Sequence, residues 1–328
     1  MVKIRKYENG DETGILALDR SVEEHPWNRR DIKNWNWKYK GQNPAGKPLI
    51  YIAENEDKII GHFAAIPINY FINGKLVKGS HSIAMIIDPK WQNKGLIKFI
   101  AVQLFKDIEK EKIPFTYGYP NDNAYILHKE QFSYVDIGQQ DFYYKKLEKN
   151  IKIEKEKDLT GLTFKEIERF DKSADALCQE TKNDYKAIVK RDSQFLNWRY
   201  SDRPDIHYYK FGVFERDKLL GYCILKLYNE DKILRGHFID IFTGKNNNDC
   251  LELLIIKTLN FFHSKNVDEV NLWIQGSKTI QNHLLNNGFS INDSRPLICR
   301  FNEGGQDFRE SLVRNEWYFV MGDTLEIY

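Results

Sequence analysis

Residues 89–98 read Pro89-Lys90-Trp91-Gln92-Asn93-Lys94-Gly95-Leu96-Ile97-Lys98, between a β-type apolar run and a helical pattern. A helix start leaves four backbone N–H groups unpaired and carries partial positive charge. Such a junction can hold a phosphate. Gly95 permits close approach of the backbone, and Lys94 and Lys98 add charge at the same end. The expectation is a pyrophosphate cradle; the plainer alternative is a surface turn. Tyr125 and His128, three residues apart, would share one helix face. Trp37 and Tyr39 could stack on a sugar or a base, and Asp323, close after Trp317, could receive an amine or a hydroxyl. His81 lies on the run leading into Met85 and is a weaker candidate.

The elements that must position these residues are legible in part. Leu49–Ala53 and Lys58–Ile66 are β-prone runs joined by a polar turn, the pattern of a hairpin. Asn73-Gly74 signals a two-residue type I′ turn, and a further strand runs through Ile83–Ile87 to Asp88-Pro89. From Gly95 the period changes. Leu96, Ile97, Ile100, Leu104, Phe105 and Ile108 recur at three- and four-residue steps, one face of an amphipathic helix. A short strand around Phe115, a short helix over 121–130 and a strand from Phe132 to Leu147 complete the pattern.

The chain then repeats itself. Asp31–Tyr39 reads DIKNWNWKY, and Asp192–Tyr200, 161 residues later, reads DSQFLNWRY. Tyr51–His62 parallels Phe211–Tyr222. The second half has its own amphipathic helix through Leu251, Leu254, Ile255, Leu259 and Phe262. The fold class expected is α/β (α+β): two domains in tandem, each a mixed, mostly antiparallel sheet flanked by helices. The Lys- and Glu-rich stretch from Lys145 to Asp158 sets the boundary near residue 150, giving domains 1–150 and 151–328. Because Trp and Tyr recur in both copies of the motif, a structural role for Trp37 and Tyr39 is the competing expectation. The second copy's helix opens at Thr243–Cys250 with Asp249 and Glu252 in its first turn, carboxylates that would repel a phosphate. Only the first copy is therefore expected to bind a phosphate-bearing ligand.

Length and composition agree with two globular domains. The chain has 328 residues, 41% of them apolar, and a net charge of +2, without the strongly basic balance of a dedicated nucleic-acid binder. No apolar run reaches the ~20 residues of a membrane span. The start Met1-Val2-Lys3-Ile4-Arg5 lacks the apolar core of a secretory signal, so a cytoplasmic protein is expected. Cys178, Cys223, Cys250 and Cys299 show no metal-ligand spacing and read as reduced, buried or free thiols. No metal is expected.

The strand–Pro–Gln92-Asn93-Lys94-Gly95-Leu96-Ile97–helix arrangement resembles the acyl-CoA-binding motif Q/R-x-x-G-x-G/A of the GNAT N-acyltransferase superfamily. Ile97 stands where that motif ends in Gly or Ala, and Gln131 where Gly precedes Phe132; the second copy keeps Gly288-Phe289. The resemblance spans nearly the whole chain, as two GNAT-like domains with a degenerate motif in the second. Trp37-Lys38-Tyr39, Asn43-Pro44 and Trp317–Asp323 look like a subgroup found with surface-polysaccharide genes, acting on nucleotide-linked amino sugars.

The resemblance implies an acyl-CoA co-substrate, acetyl- or 3-hydroxybutyryl-CoA. It implies direct transfer to a small-molecule nucleotide-sugar acceptor, most simply a dTDP-linked amino-deoxysugar, with the second domain contributing to the acceptor site. Met85, Ile86 and Ile87 would pair with the pantetheine and polarise the thioester, Gln92 to Lys98 would hold the pyrophosphate, and Asn123 would lie near the pantetheine end. Tyr125 or His128 would protonate the leaving thiolate or relay a proton. Trp37, Tyr39, His81, Trp317 and Asp323 are the acceptor-binding candidates. Nucleic acid and membrane are not expected partners, and a homodimer stays open. The alternatives are an aminoacyl-tRNA-dependent transferase of tandem-GNAT type and a non-catalytic binding module.

Overall fold

The computed structural model describes residues 1–22, 31–148, 161–309, 312 and 317–325. The boundary expected near residue 150 lies outside the described residues. The first copy contains β1 (Lys3–Lys6), α1 (Asp11–Val22) and α2 (Ile32–Trp35), which widens into a π-helical turn over Asn36–Lys40. A meander follows: β2 (Leu49–Asn55), β3 (Lys58–Ile72) and β4 (Lys75–Ile87). Then come α3 (Leu96–Lys110), β5 (Phe115–Gly118), α4 (Asp122–Gln131) and β6 (Val135–Lys146).

The second copy runs through β7 (Leu162–Glu166), α5 (Lys172–Thr181), β8 (Ala187–Val189) and α6 (Ser193–Leu196), with a π-helical turn over Asn197–Ser201. Its meander is β9 (Tyr209–Glu215), β10 (Lys218–Glu230) and β11 (Ile233–Thr243). It closes with α7 (Asn248–Ser264), β12 (Glu269–Gln275), α8 (Lys278–Asn286) and β13 (Ser290–Phe301). β14 (Trp317–Val320) follows.

The repeated residues explain the repeated elements. Asp31 accepts from the backbone N–H of Asn34 at 2.8 Å, and Asp192 from that of Phe195 at 2.9 Å, so each caps its helix. Asn73 and Gly74 have φ of 48° and 72°, the positive values of the expected turn. Gly61 and Gly221, 160 residues apart, both face a helix. A Cβ would fall 2.8 Å from Ile100 Cδ1 at the first and 2.8 Å from Cys250 Sγ at the second. At Gly221 the Phe242 carbonyl, 2.7 Å from that Cβ, also blocks a side chain, whereas at Gly61 a larger residue would have to displace the tips of Ile100 and Ile87.

The mixed, mostly antiparallel sheet expected of each copy is present, and the two are joined. One continuous sheet runs β1-β2-β3-β4-β5-β13-β6-β12-β11-β10-β9-β7. The closing strands are exchanged: β13 of the second copy lies beside β5 (Ile298 opposite Gly118), and β6 of the first lies beside β12 (Asp141 opposite Ile274). A split near residue 150 therefore does not separate two independently closed sheets. Strand patterning is local, whereas the choice of neighbour is a long-range pairing that period-2 alternation does not encode.

One face of the first copy is packed by α3, whose Leu96, Ile100, Leu104 and Ile108 bury against Tyr51, Ala53 and Phe63. Among the described residues, no helix is long and apolar enough to cross a membrane.

Candidate active site

β3 and β4 pair in register from Ile72 opposite Lys75 down to Ala64 opposite Ile83, and resume at His62 opposite Ile86. Two residues of β4, Ala84 and Met85, therefore oppose Phe63 alone. This is a β-bulge, and Ala84 takes φ 51° within it. The bulge re-aims the backbone at Met85. β4 pairs with its parallel neighbour β5 only at Ser80–Thr116 and His81–Tyr117. Beyond those pairs the strands part, which opens a splay at their carboxyl ends beside the bulge. Met85 and Ile87 are half-buried there, while Ile86 is buried in the core.

The chain passes from this splay directly into the cradle residues. The Asp88 side chain accepts from Lys90 N at 2.9 Å, capping a short turn over Pro89–Trp91. It pairs with Lys58 at 2.7 Å, and that hydrogen bond holds its carboxyl below the usual range. Gln92 Nε2 donates to Ile87 O at 3.1 Å, tying the loop to the strand end. Asn93 (φ 60°) and Gly95 (φ 72°) are both left-handed. Turns of this kind can bring successive N–H groups to bear on one anion. α3 starts at Gly95 with no capping side chain and no acidic residue in its first turn. A Cβ on Gly95 would meet nothing within 4 Å, so the space above it is open. Gln92, Asn93, Lys94 and Lys98 are exposed, and Lys94 lies over the Trp91 ring. These residues fit a diphosphate.

The second copy has closed both features. The Asn247 side chain accepts from Cys250 N and so caps α7, and the Lys245 N–H donates to Asp184 Oδ2 at 2.8 Å. Its splay is filled by its own chain. β11 and β12 pair over Arg235–Phe238 and Glu269–Leu272. Farther along, β12 takes β14 instead, with Ile274 opposite Val320 and Gln275 opposite Phe319. The Tyr318 hydroxyl donates to Ile241 O of β11.

Burial corrects several acceptor-site expectations. Trp317 is fully buried, donates to Leu312 O at 2.7 Å and packs edge-on against Tyr70 and Phe115. Asp323 is buried and chelated by Arg191 Nη2 at 2.9 and 2.6 Å. Arg191 Nε reaches Asp240 at 3.3 Å, which also accepts from Tyr200. Burial pushes the Asp323 carboxyl up to about 6, with Arg191 opposing and Asp240 adding to the rise. Trp37 is buried against Trp198. His81 is 2% exposed, stacked at 4.6 Å and 5° on Tyr117, and burial lowers its pKa to about 3. It is a neutral core histidine. In each case a polar or aromatic side chain that suits a ligand also suits a packed interface, and sequence alone does not separate the two.

Tyr39 is partly buried, packed against Trp35 with ring centroids 4.2 Å apart and planes tilted by 39°, and lines a cleft of about 790 Å³ with Tyr7, Gln42 and Tyr51. Asn123 is exposed in the first turn of α4. Tyr125 and His128 both lie on α4 but diverge in environment. The Tyr125 hydroxyl donates to Asp136 Oδ1 at 2.9 Å. His128 is 5% exposed, with Nδ1 2.7 Å from Ala124 O and its ring edge-on to Tyr134 and Phe132. Burial lowers its pKa. Packing against aromatic rings holds His128 in the core, which does not suit the proton-donor role expected of it. All four cysteines are buried thiols. Gln275-Gly276-Ser277-Lys278-Thr279, a polar run directly after an apolar strand and absent from the sequence-predicted site, lines a cavity of about 1030 Å³.

Residues 3–134 match the acetyltransferase (GNAT) domain family. The fold is the GNAT fold. A GCN5-related N-acetyltransferase from Anabaena variabilis superposes with a TM-score of 0.69 at 15% identity, covering 92% of this chain and 73% of that one. A tandem GNAT protein of the clavulanic acid biosynthesis pathway gives 0.62 at 11%, covering 92% of this chain and 98% of its own. N-myristoyltransferase of Saccharomyces cerevisiae, solved with myristoyl-CoA bound, gives 0.61 at 11%, covering 92% and 82%. No curated protein gives a match. The domain match and the structural neighbours support N-acyltransferase activity.

Proposed function

We propose that this chain transfers an acyl group from acyl-CoA to the amine of a nucleotide-linked amino sugar, most simply a dTDP-linked amino-deoxysugar of surface-polysaccharide synthesis. The observation that carries the acyl-CoA part is the asymmetry between the copies. α3 opens on a bare, left-handed Gly95 beside a parted β4–β5 pair, whereas α7 is capped by Asn247 and its splay is plugged by β14. The resemblance of Trp37-Lys38-Tyr39 and Trp317–Asp323 to the amino-sugar subgroup supports the acceptor, although the burial of Trp37, Trp317 and Asp323 makes these signatures of the fold rather than contacts.

The reaction needs a neutral amine, a polarised thioester and a proton for the thiolate. Backbone N–H groups at the bulge would stabilise the developing oxyanion without reorganising, a large catalytic contribution. Holding both substrates in the splay would supply several further kcal/mol. Tyr125, polarised by Asp136 and near the start of α4, is the proton donor we favour for the thiolate.

The test is release of free CoA thiol from acetyl-CoA and 3-hydroxybutyryl-CoA against dTDP- and UDP-linked amino sugars. Turnover with one pair establishes donor and acceptor together. A thermal shift with CoA but no turnover on any sugar would overturn the acceptor and keep the donor site.

A further inference from the structure

The end of β12, the start of α8 and the loop before α7 line a cavity of about 1030 Å³. It also reaches Asn73 at the tip of the β3–β4 hairpin and Asp141 on β6, so both copies contribute. In the second copy it lies between the loop before α7 and the start of α8; in the first copy the loop before α3 forms the candidate cradle. The substitutions that closed the cradle have not closed this cavity.

Gln275 gives an independent reason to expect a ligand. Its side chain lines the cavity and is only 3% exposed, and neither Oε1 nor Nε2 has a hydrogen-bond partner among the described residues. An unpaired buried carboxamide is costly, and native structures rarely leave one without a purpose. A carboxamide sets a donor beside an acceptor. A hydroxyl, or two adjacent hydroxyls, answers both. Asn183, Gln281 and Thr279 add further amide and hydroxyl groups, and Tyr185 forms one wall.

The charges define the other end of the ligand. Lys186, Lys245 and Lys278 line the cavity against Asp141 and Asp184. Asp184 is already engaged by the Lys245 backbone N–H. α8 begins at the cavity with Ser277 capping Ile280 N, so the positive end of its dipole faces the same space. Three ammonium groups and a helix start favour an anion.

We propose that this cavity binds a phosphorylated sugar, its hydroxyls on Gln275 and its phosphate among Lys186, Lys245 and Lys278. The site is separate from the Gly95 cradle and does not depend on the acceptor reading. Calorimetric titration of the full chain with glucose 1-phosphate, glucose and inorganic phosphate tests it. Glucose 1-phosphate should bind at least tenfold more tightly than either part. Lys278→Ala, an exposed change that cannot collapse the fold, should weaken it about tenfold, and Gln275→Leu likewise. Gly95→Glu should leave it unchanged. Absence of binding, equal affinity for inorganic phosphate alone, or unchanged affinity in Lys278→Ala would overturn the proposal. Loss in Gly95→Glu would move the ligand to the cradle and overturn it equally.

Discussion

Trp37 and Trp198 hold the same position in the two copies of the repeat, and they stack on each other with ring centroids 5.4 Å apart and planes 23° from parallel. The Trp37 indole N–H donates to the Trp198 carbonyl at 2.7 Å, and the Arg203 guanidinium lies 4.9 Å from the Trp37 ring. A repeat residue that meets its own counterpart marks the approximate twofold between the copies. Both rings are buried, so truncation leaves a large cavity. Trp198→Ala should cost about 3–5 kcal/mol in urea denaturation. Acyl-CoA affinity per folded molecule should not change. An acceptor platform would behave oppositely, raising KM with stability intact.

Gly95→Glu should abolish the thermal shift given by CoA. The new side chain has room, because nothing lies within 4 Å of its Cβ. The left-handed φ of 72° should cost about 1–2 kcal/mol, which leaves the fold intact by circular dichroism. The carboxylate would then stand where the proposed site would hold a diphosphate. Unchanged CoA affinity would sink the cradle assignment.

Tyr125→Phe should lower kcat by roughly 10²-fold or more, the usual worth of a placed proton donor, with KM for acyl-CoA little changed. Its hydroxyl bonds to the exposed Asp136, so the substitution removes one surface hydrogen bond and costs little stability. His128→Gln should instead act through stability, since that ring is packed against Phe132 and Tyr134. A full loss of kcat in His128→Gln at unchanged stability would exchange the two roles.

The helix start at Gly95 and the repeat were legible because each is a local pattern. Gly95 after a strand and before a 3.6-period run predicts a helix start, and Trp37/Trp198 within frames that match in register predict duplication. The Asn73-Gly74 turn was legible for the same reason. The exchange of β6 and β13 was not, since Asp141 opposite Ile274 and Ile298 opposite Gly118 join residues more than a hundred positions apart. Burial of Trp317 and Asp323 was invisible for a related reason. Tyr70 and Phe115 cover Trp317, Arg191 covers Asp323, and none of these is near in sequence. A charged residue read alone suggests a ligand, and only its partner reveals a buried ion pair.

His81→Phe should make the protein more acid-resistant. The unfolded histidine takes a proton near pH 6.5, whereas burial holds the folded one down to about 3. The stability contributed by the neutral ring is complete above pH 6.5. It is lost as pH falls from there toward 3, by up to about 1.4 kcal/mol per unit. Phenylalanine can keep the parallel stack on Tyr117 and cannot titrate. Urea midpoints at pH 7 and pH 4 should therefore converge in the variant relative to the wild type. A parallel fall in both proteins would place the acid sensitivity elsewhere, for instance on His237, which burial also lowers.

Asp323→Asn should show the opposite pH trend. Burial raises the Asp323 carboxyl to about 6, above its ordinary 3.8, although Arg191 opposes the rise. A group whose folded value is raised stabilises most when protonated, below 3.8, and that contribution is lost as pH climbs through 6. Asparagine keeps the shape and removes the titration. It also leaves Arg191 paired with Asp240 alone. The penalty of the substitution should therefore shrink between pH 4.5 and pH 7.5 in urea denaturation. A penalty that grows with pH would mean that Arg191 holds the carboxylate ionised throughout, with its pKa depressed. Because Asp323 is buried behind β14 and not open to a ligand, kcat/KM per folded enzyme should stay within a few-fold of the wild type at either pH. A loss of activity that tracked acceptor KM would return Asp323 to the acceptor site.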